Sequence, residues 1–281
     1  MKKQILTILI LLFLSVKAIA CSCDTPKPVL EFYSSKYVFK GVITKKTFSK
    51  DSATYTIKFK VLESYKNGKI PKEIYFTSYY QKKGSWDSCY REAYLNQEWL
   101  VFVKEKGGKL YFSQICTNSR LLNNKGIDAN MQKLLNNANN FKLQDYIYND
   151  YDDERTEFNY PKPITNLDSI FKTGKIKDYE KTYMVLALYI DEKGKLISSF
   201  SGLDMHYSEP YFVYHPVFKL LKKIDVRSKR PLNDFEIEAM DLYSKVDWEI
   251  KRHKDTKIPV KYIRYVRAEF DKETKKWKHD I

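Results

Sequence analysis

Histidine is scarce in this chain, with four copies in 281 residues, and no pair has the HExxH spacing. A helix-borne zinc protease centre is thereby excluded. GxSxG, a phosphate-cradling loop and a dinucleotide fingerprint are missing as well, and nine glycines leave little material for a glycine-rich loop. Nine prolines exclude a proline-rich spacer. Acids are outnumbered 35 to 50, yet the basic excess is mostly lysine, is spread along the chain and forms no arginine stripe. Nucleic acid is therefore not an expected partner, whereas a loose attraction to anionic membrane surface is. Long apolar runs are also lacking, apart from one near the start. These absences predict a non-catalytic protein without a cofactor.

That one run, Ile5–Val16, follows Lys2 and Lys3 and precedes Ala18 and Ala20 around Ile19, which is the pattern of a secretory leader over residues 1–20. Cleavage after Ala20 makes Cys21 the first mature residue, with a free α-amine. Two other fates stay open: lipidation of Cys21, which would bring outer-membrane association, and retention as an anchor, for which the run is short. Loss of Lys2, Lys3 and Lys17, with no acid, takes the formal charge from +15 to +12. An exported location is expected, whether periplasm, outer membrane or extracellular space.

What is abundant is aromatic: 23 tyrosines and 16 phenylalanines favour sheet over helix. The four cysteines, Cys21, Cys23, Cys89 and Cys116, all lie in the first 116 residues. An even count in one region of an exported chain reads as two disulfides. Cys21 and Cys23 are separated by Ser22 alone, and bridging them would strain a very small ring, so each should reach a distant partner. A four-thiolate zinc site is the alternative.

After the cysteine pair, Tyr37, Phe39, Val42 and Thr44 alternate around Gly41 as a strand bent or bulged at the glycine. Tyr55, Ile57, Phe59 and Val61 alternate cleanly with polar residues, KEIYFTSYY supplies a third strand, and Trp99–Val103 with Leu110–Ile115 form a hairpin turning at Gly107 and Gly108. A helix is expected over about Ile127–Leu135.

Cys-Ser-Cys at the mature terminus, VFKGVI, Cys89, WLVF and Cys116 together resemble the inhibitory domain of tissue inhibitors of metalloproteinases, with its bacterial relatives and the wider netrin-like group. The resemblance implies an all-β, OB-type five-stranded barrel with a flanking helix over residues 21–135, and the bridges Cys21–Cys89 and Cys23–Cys116. It further implies a partner-binding edge of Cys21, Ser22 and Cys23. The Cys21 amine and carbonyl would chelate the zinc of a partner metalloprotease, and Ser22 would enter its first specificity pocket. No intrinsic metal is implied. The chemistry is sound, because an α-amine of pKa about 7.7–8.0 is easily deprotonated near neutrality, and a terminus fixed by two bridges has spent its ordering entropy on folding. DTPKPVLEFYSS carries no cysteine, so a third bridge found in the animal inhibitors has no counterpart.

Residues 136–178 read as a linker with local structure, in which Leu143, Tyr146, Ile147, Phe158 and Ile170 are expected to pack. Beyond it, Tyr183–Ile190 and Leu196–Phe200 form a hairpin through Asp191–Gly194. Phe235, Ala239, Leu242, Tyr243 and Val246 follow helical spacing behind an Asn233 or Asp234 cap, and IPVKYIRYVRAEFD makes a last strand. Strand, strand, helix, strand predicts a two-layer α+β domain over 179–281, with one main helix on a small antiparallel sheet. DEKGKL, Glu238-Ala239, Trp248 and Pro259-Val260-Lys261-Tyr262 are similar to the TonB C-terminal domain. That family's domain is periplasmic and pairs with an outer-membrane receptor by strand addition, which implies a docking or structural role in the cell envelope.

His206 and His215, with Glu209 between them, are the nearest approach to a metal set, and Asp150–Glu154 lacks the spacing and glycine of a calcium loop. The sequence as a whole predicts a protein that binds another protein.

Overall fold

In a computed structural model describing residues 25–81, 90–122, 125–149, 158–201, 208–228 and 230–281, the chain is mostly β, with two curled sheets and few helices. It divides into two compact units: Ser35–Asp128 with the residues up to Pro26, and Lys27–Ser34 with Ala129–Ile281.

The first unit is built on β1 (Tyr37–Phe48), β2 (Thr54–Ser64), β3 (Glu73–Tyr79), β4 (Glu98–Lys106), β5 (Lys109–Phe112) and the two-residue β6 (Arg120–Leu121). All pairs are antiparallel, in the order β3-β2-β1-β4-β5, with β6 also on β4. Alternation places Tyr55, Ile57 and Phe59 of β2 on the buried face beside Phe39, Ile74, Phe76, Val101 and Val103. The expected irregularity at Gly41 is present, since the β1–β2 register shifts between Lys40 and Gly41. A Cβ on Gly41 would stand 2.7 Å from the Phe39 ring and 2.9 Å from the Lys60 carbonyl. The hairpin turns at Gly107 and Gly108 as read, but β5 ends at Phe112 rather than Ile115.

The sheet curls without closing. Phe76 of β3 and Phe112 of β5 meet at 5.5 Å between ring centroids, yet no ladder joins those edge strands among the described residues. The described strands thus form a curled, six-stranded half-barrel.

The second unit contains α1 (Pro28–Ser34), α2 (Ala129–Asn137), α3 (Leu167–Phe171) and α4 (Asp234–Ser244). Its sheet comprises β7 (Ile147–Asn149), β8 (Tyr183–Ile190), β9 (Leu196–Ser201), β10 (Ser208–Tyr214), β11 (Leu221–Ser228), β12 (Lys261–Asp271) and β13 (Lys276–Asp280). The order is β10-β11-β7-β12-β8-β9, with β13 on β12. Because β7 runs parallel to β12, the sheet is mixed and seven-stranded, where a small antiparallel one was expected.

α4 begins where its cap was read: Asn233 Oδ1 accepts from Glu236 N (2.9 Å) while Glu236 Oε2 accepts from Asn233 N (3.0 Å). Its Phe235, Ala239, Leu242 and Tyr243 pack on Leu186, Leu188, Tyr262 and Val266. Ile147, Ala187, Phe200, Leu221 and Ile263 form a second cluster.

Residues 158–164, within the expected linker, run antiparallel to 247–253. The bonds are Asn159 N to Arg252 O (3.0 Å), Glu249 N to Lys162 O (2.9 Å) and Ile164 N to Asp247 O (2.8 Å). In the β8–β9 turn, Asp191 Oδ1 accepts from Lys193 N and Lys195 N, and Gly194 takes φ +79° against the Trp248 backbone.

Candidate functional site

The segment after β5 cannot continue as a strand, because its polar side chains turn back on its own backbone. Ser113 Oγ donates to the Ile115 carbonyl (2.6 Å), and Thr117 and Ser119 share a hydrogen bond (3.1 Å). The buried Ser119 Oγ accepts from Phe102 N (2.9 Å), fastening the loop to β4. Cys116, at φ +53°, is disulfide-bonded, and its partner lies outside the described residues. Two residues further on, Asn118 Nδ2 donates to the Pro26 carbonyl (2.8 Å). The segment that leads out of Cys-Ser-Cys is thereby tied to the loop carrying Cys116.

Beside this loop lies a cleft of about 500 Å³ lined by Arg91, Glu92, Gln97, Trp99, Gln114 and Arg120, among others. Gln97 Oε1 accepts from both Tyr94 N (2.9 Å) and Trp99 Nε1 (3.2 Å), which fixes the indole. Glu92 is engaged by Lys46, whose ammonium also donates to the Ala93 carbonyl (2.9 Å) and stands 4.2 Å from the Tyr55 ring centroid. Arg120 pairs with Asp128 (2.7 Å), and Arg91 is exposed. Gln114 Nε2 donates to the Tyr55 hydroxyl (3.4 Å), while its Oε1 is buried without a partner among the described residues. The lining of the cleft is thus largely polar.

After β2, Lys66 donates to the Ser35 carbonyl. Burial lowers its ammonium to about 8.

Of the residues read as a partner-binding edge or as bridge members, Cys21, Ser22, Cys23 and Cys89 lie outside the described residues, as do His206 and Asp150–Glu154. The three described histidines serve the second unit structurally. His215 Nδ1 accepts from Phe218 N (3.1 Å) in the β10–β11 turn, and burial, with Lys222 nearby, lowers its pKa. His253 Nδ1 accepts from Thr256 N (3.2 Å), and its ring meets Tyr33 of α1 at 5.3 Å. His279 Nε2 bonds Asp168 Oδ1 (3.0 Å). No group of three metal-ligating side chains occurs among the described residues.

Sequence reasoning passed over the buried charges of the second unit. Lys251 is fully buried near the rings of Phe158 and Tyr262, and Arg264 stands 4.3 Å from the Tyr160 ring. Glu236, also fully buried, is held bidentately by Arg230 (2.7 and 2.8 Å) and by Lys181 (3.2 Å). Among the described residues, β9 forms a ladder with β8 alone, although its Phe200 meets Phe212 of β10 at 6.1 Å, and Ile197 on it is half exposed. No helix of the described residues is long and apolar enough to cross a membrane.

Scanning the chain against family models gives no match, and a search of curated proteins gives none either.

Proposed function

We propose that the chain is an exported, two-domain, non-catalytic protein whose first domain, an OB-type fold, binds a partner zinc metalloprotease through its N-terminal edge. In this reading a leader is removed after Ala20 and the bridges are Cys21–Cys89 and Cys23–Cys116. The Cys21 amine and carbonyl meet the partner's zinc while Ser22 occupies the adjoining pocket. The observation that carries the reading is the hydrogen bond from Asn118 to the Pro26 carbonyl, two residues from the bridged Cys116. A terminus held at that point is pre-ordered for binding, which tightens a complex without adding contacts.

The test is inhibition of a panel of zinc proteases before and after acetylation of the mature amine. Lys66 titrates at about 8, in the range of an α-amine, so the same reagent can modify it. The comparison is therefore made in a Lys66→Arg background. Acetylation is expected to abolish inhibition, and Asn118→Ala to weaken it roughly tenfold, which is about 1.4 kcal/mol. Equal inhibition by acetylated and free chains, or a diacylglyceryl group on Cys21 by mass spectrometry, would sink the reading.

A second reading rests on β9, whose outer edge joins no ladder among the described residues. In this reading the second domain is TonB-like and docks an envelope protein, in the periplasm or at the outer membrane, by strand addition. Ile197→Lys should blunt that edge and abolish recovery of a partner by the full chain from native envelope extract, while protease inhibition stays as it was. Equal recovery by the variant counts against docking at β9.

A further inference from the structure

α3 and the residues after it face the turn between β12 and β13 across a cleft of about 460 Å³. Its floor is apolar and rigid. Phe171 and Trp277 are buried, and Ile176, 66% exposed, borders the opening. The indole of Trp277 stacks on Phe235 at 5.1 Å and donates from Nε1 to the Lys175 carbonyl (2.9 Å). Gly174 lies so close to it that a Cβ there would fall 2.5 Å from Trp277 Cδ1. The wall is therefore fixed before any ligand arrives.

The rim is basic. Lys172, Lys275 and Lys276 all line the cleft, all are exposed, and none has an acidic partner among the described residues. The one carboxylate at the edge, Asp168, is hydrogen-bonded to His279. Several other exposed lysines of the second unit do have acidic partners: Lys177 pairs with Asp234, Lys195 with Asp247, Lys245 with Asp241 and Lys278 with Asp271. An unneutralised cationic rim over a preformed apolar floor complements a molecule that has a negative head and a hydrocarbon body.

We propose that this cleft binds a small monocarboxylate with an apolar chain, the chain lying on Trp277, Phe171 and Ile176 and the carboxylate meeting the lysines. The charge supplies the preference for an acid over a neutral analogue, and the floor supplies the dependence on chain length. Neither contribution requires the first unit.

The experiment is displacement of dansylaminoundecanoic acid from the full chain, followed by probe fluorescence. Decanoate, below its micelle concentration, is expected to displace the probe at a concentration at least tenfold lower than decan-1-ol, and butyrate only at far higher concentration. Combined Lys172→Glu, Lys275→Glu and Lys276→Glu should erase the preference for the acid. Ile176→Asp should weaken acid and alcohol alike, about tenfold. All four positions are exposed, so an unchanged thermal midpoint verifies folding. Equal displacement by decanoate and decanol overturns the proposal, as does a preference that survives charge reversal. Adsorption of the chain to phosphatidylglycerol vesicles with no displacement by decanoate overturns it too, because the patch would then be a membrane contact.

Discussion

Gly194→Ala is expected to lower the stability of the second unit by about 3–5 kcal/mol, which moves its thermal midpoint down by roughly 10 °C. Two costs combine. A side chain at φ +79° occupies a backbone region that L-residues seldom adopt, and the added Cβ would stand 2.2 Å from the Trp248 carbonyl oxygen. That oxygen cannot swing aside cheaply. Trp248 N donates to the Gly194 carbonyl (3.2 Å), and the next residue, Glu249, is bonded to Lys162. Gly68→Ala is the control, because Gly68 also has positive φ (+111°) but nothing within 4 Å of its would-be Cβ. It should cost about 1–2 kcal/mol. Because Gly68 lies in the first unit, each variant is compared with the wild-type transition of its own unit by thermal unfolding followed by tryptophan fluorescence, and equal shifts would show that the close approach to Trp248 carries no energy.

Glu236→Ala is the second large effect, at about 3 kcal/mol or more. The carboxylate both closes the cap of α4 and receives Arg230 and Lys181, so truncation sets those cations against the electropositive N-terminal end of the helix. Burial pushes the carboxyl pKa up, but the hydrogen bonds from Arg230, the Asn233 amide and Lys181 outweigh it, and the net value lies below the ordinary glutamate range. A carboxyl more acidic when folded than when unfolded contributes fully above its unfolded pKa and loses that contribution as the pH falls through the folded one. Wild type should therefore shed stability on acidification through this interval. Glu236→Gln, already lower at pH 7, should show a flatter profile there. Urea midpoints measured between pH 7 and pH 3 supply the comparison, and parallel profiles would remove the ion pair from the account.

The elements legible in the sequence are those whose signal is local. β2 alternates from Thr54 to Val61, β8 is an apolar run bounded by its turn, the β8–β9 and β4–β5 turns carry their glycines, and Asn233 announces α4 with Glu236 three residues on. Other elements have no local signature. β7 has three residues, too few for a period, and exists because β12 and β11 flank it. β10 and β11 mix aromatic, aliphatic and charged residues without a sustained period of two, so their pairing has no local signature. α1 starts on a proline and spans seven residues, enough to bury Val29, Leu30 and Phe32 but not to display helical spacing.

The same division holds at the sites. Cysteine spacing pointed to the loop around Cys116, whereas the bond from Asn118 to Pro26 joins a side chain to a backbone group 92 residues away, which no spacing rule anticipates. FKTGKIK and TKKWK read as ordinary solvated charge, since nothing in either stretch says that both line one cleft.

The helix α1 has a consequence for biosynthesis. Tyr33 on it rests against Phe141 and His253, so its resting place is finished only when nearly the whole polypeptide has left the ribosome or translocation channel. Ser35–Asp128, by contrast, is one uninterrupted stretch and has all its strands long before. The helix must therefore wait, with Val29, Leu30 and Phe32 in water, while an entire sheet forms behind it. The order in which its contacts become available is set by chain connectivity.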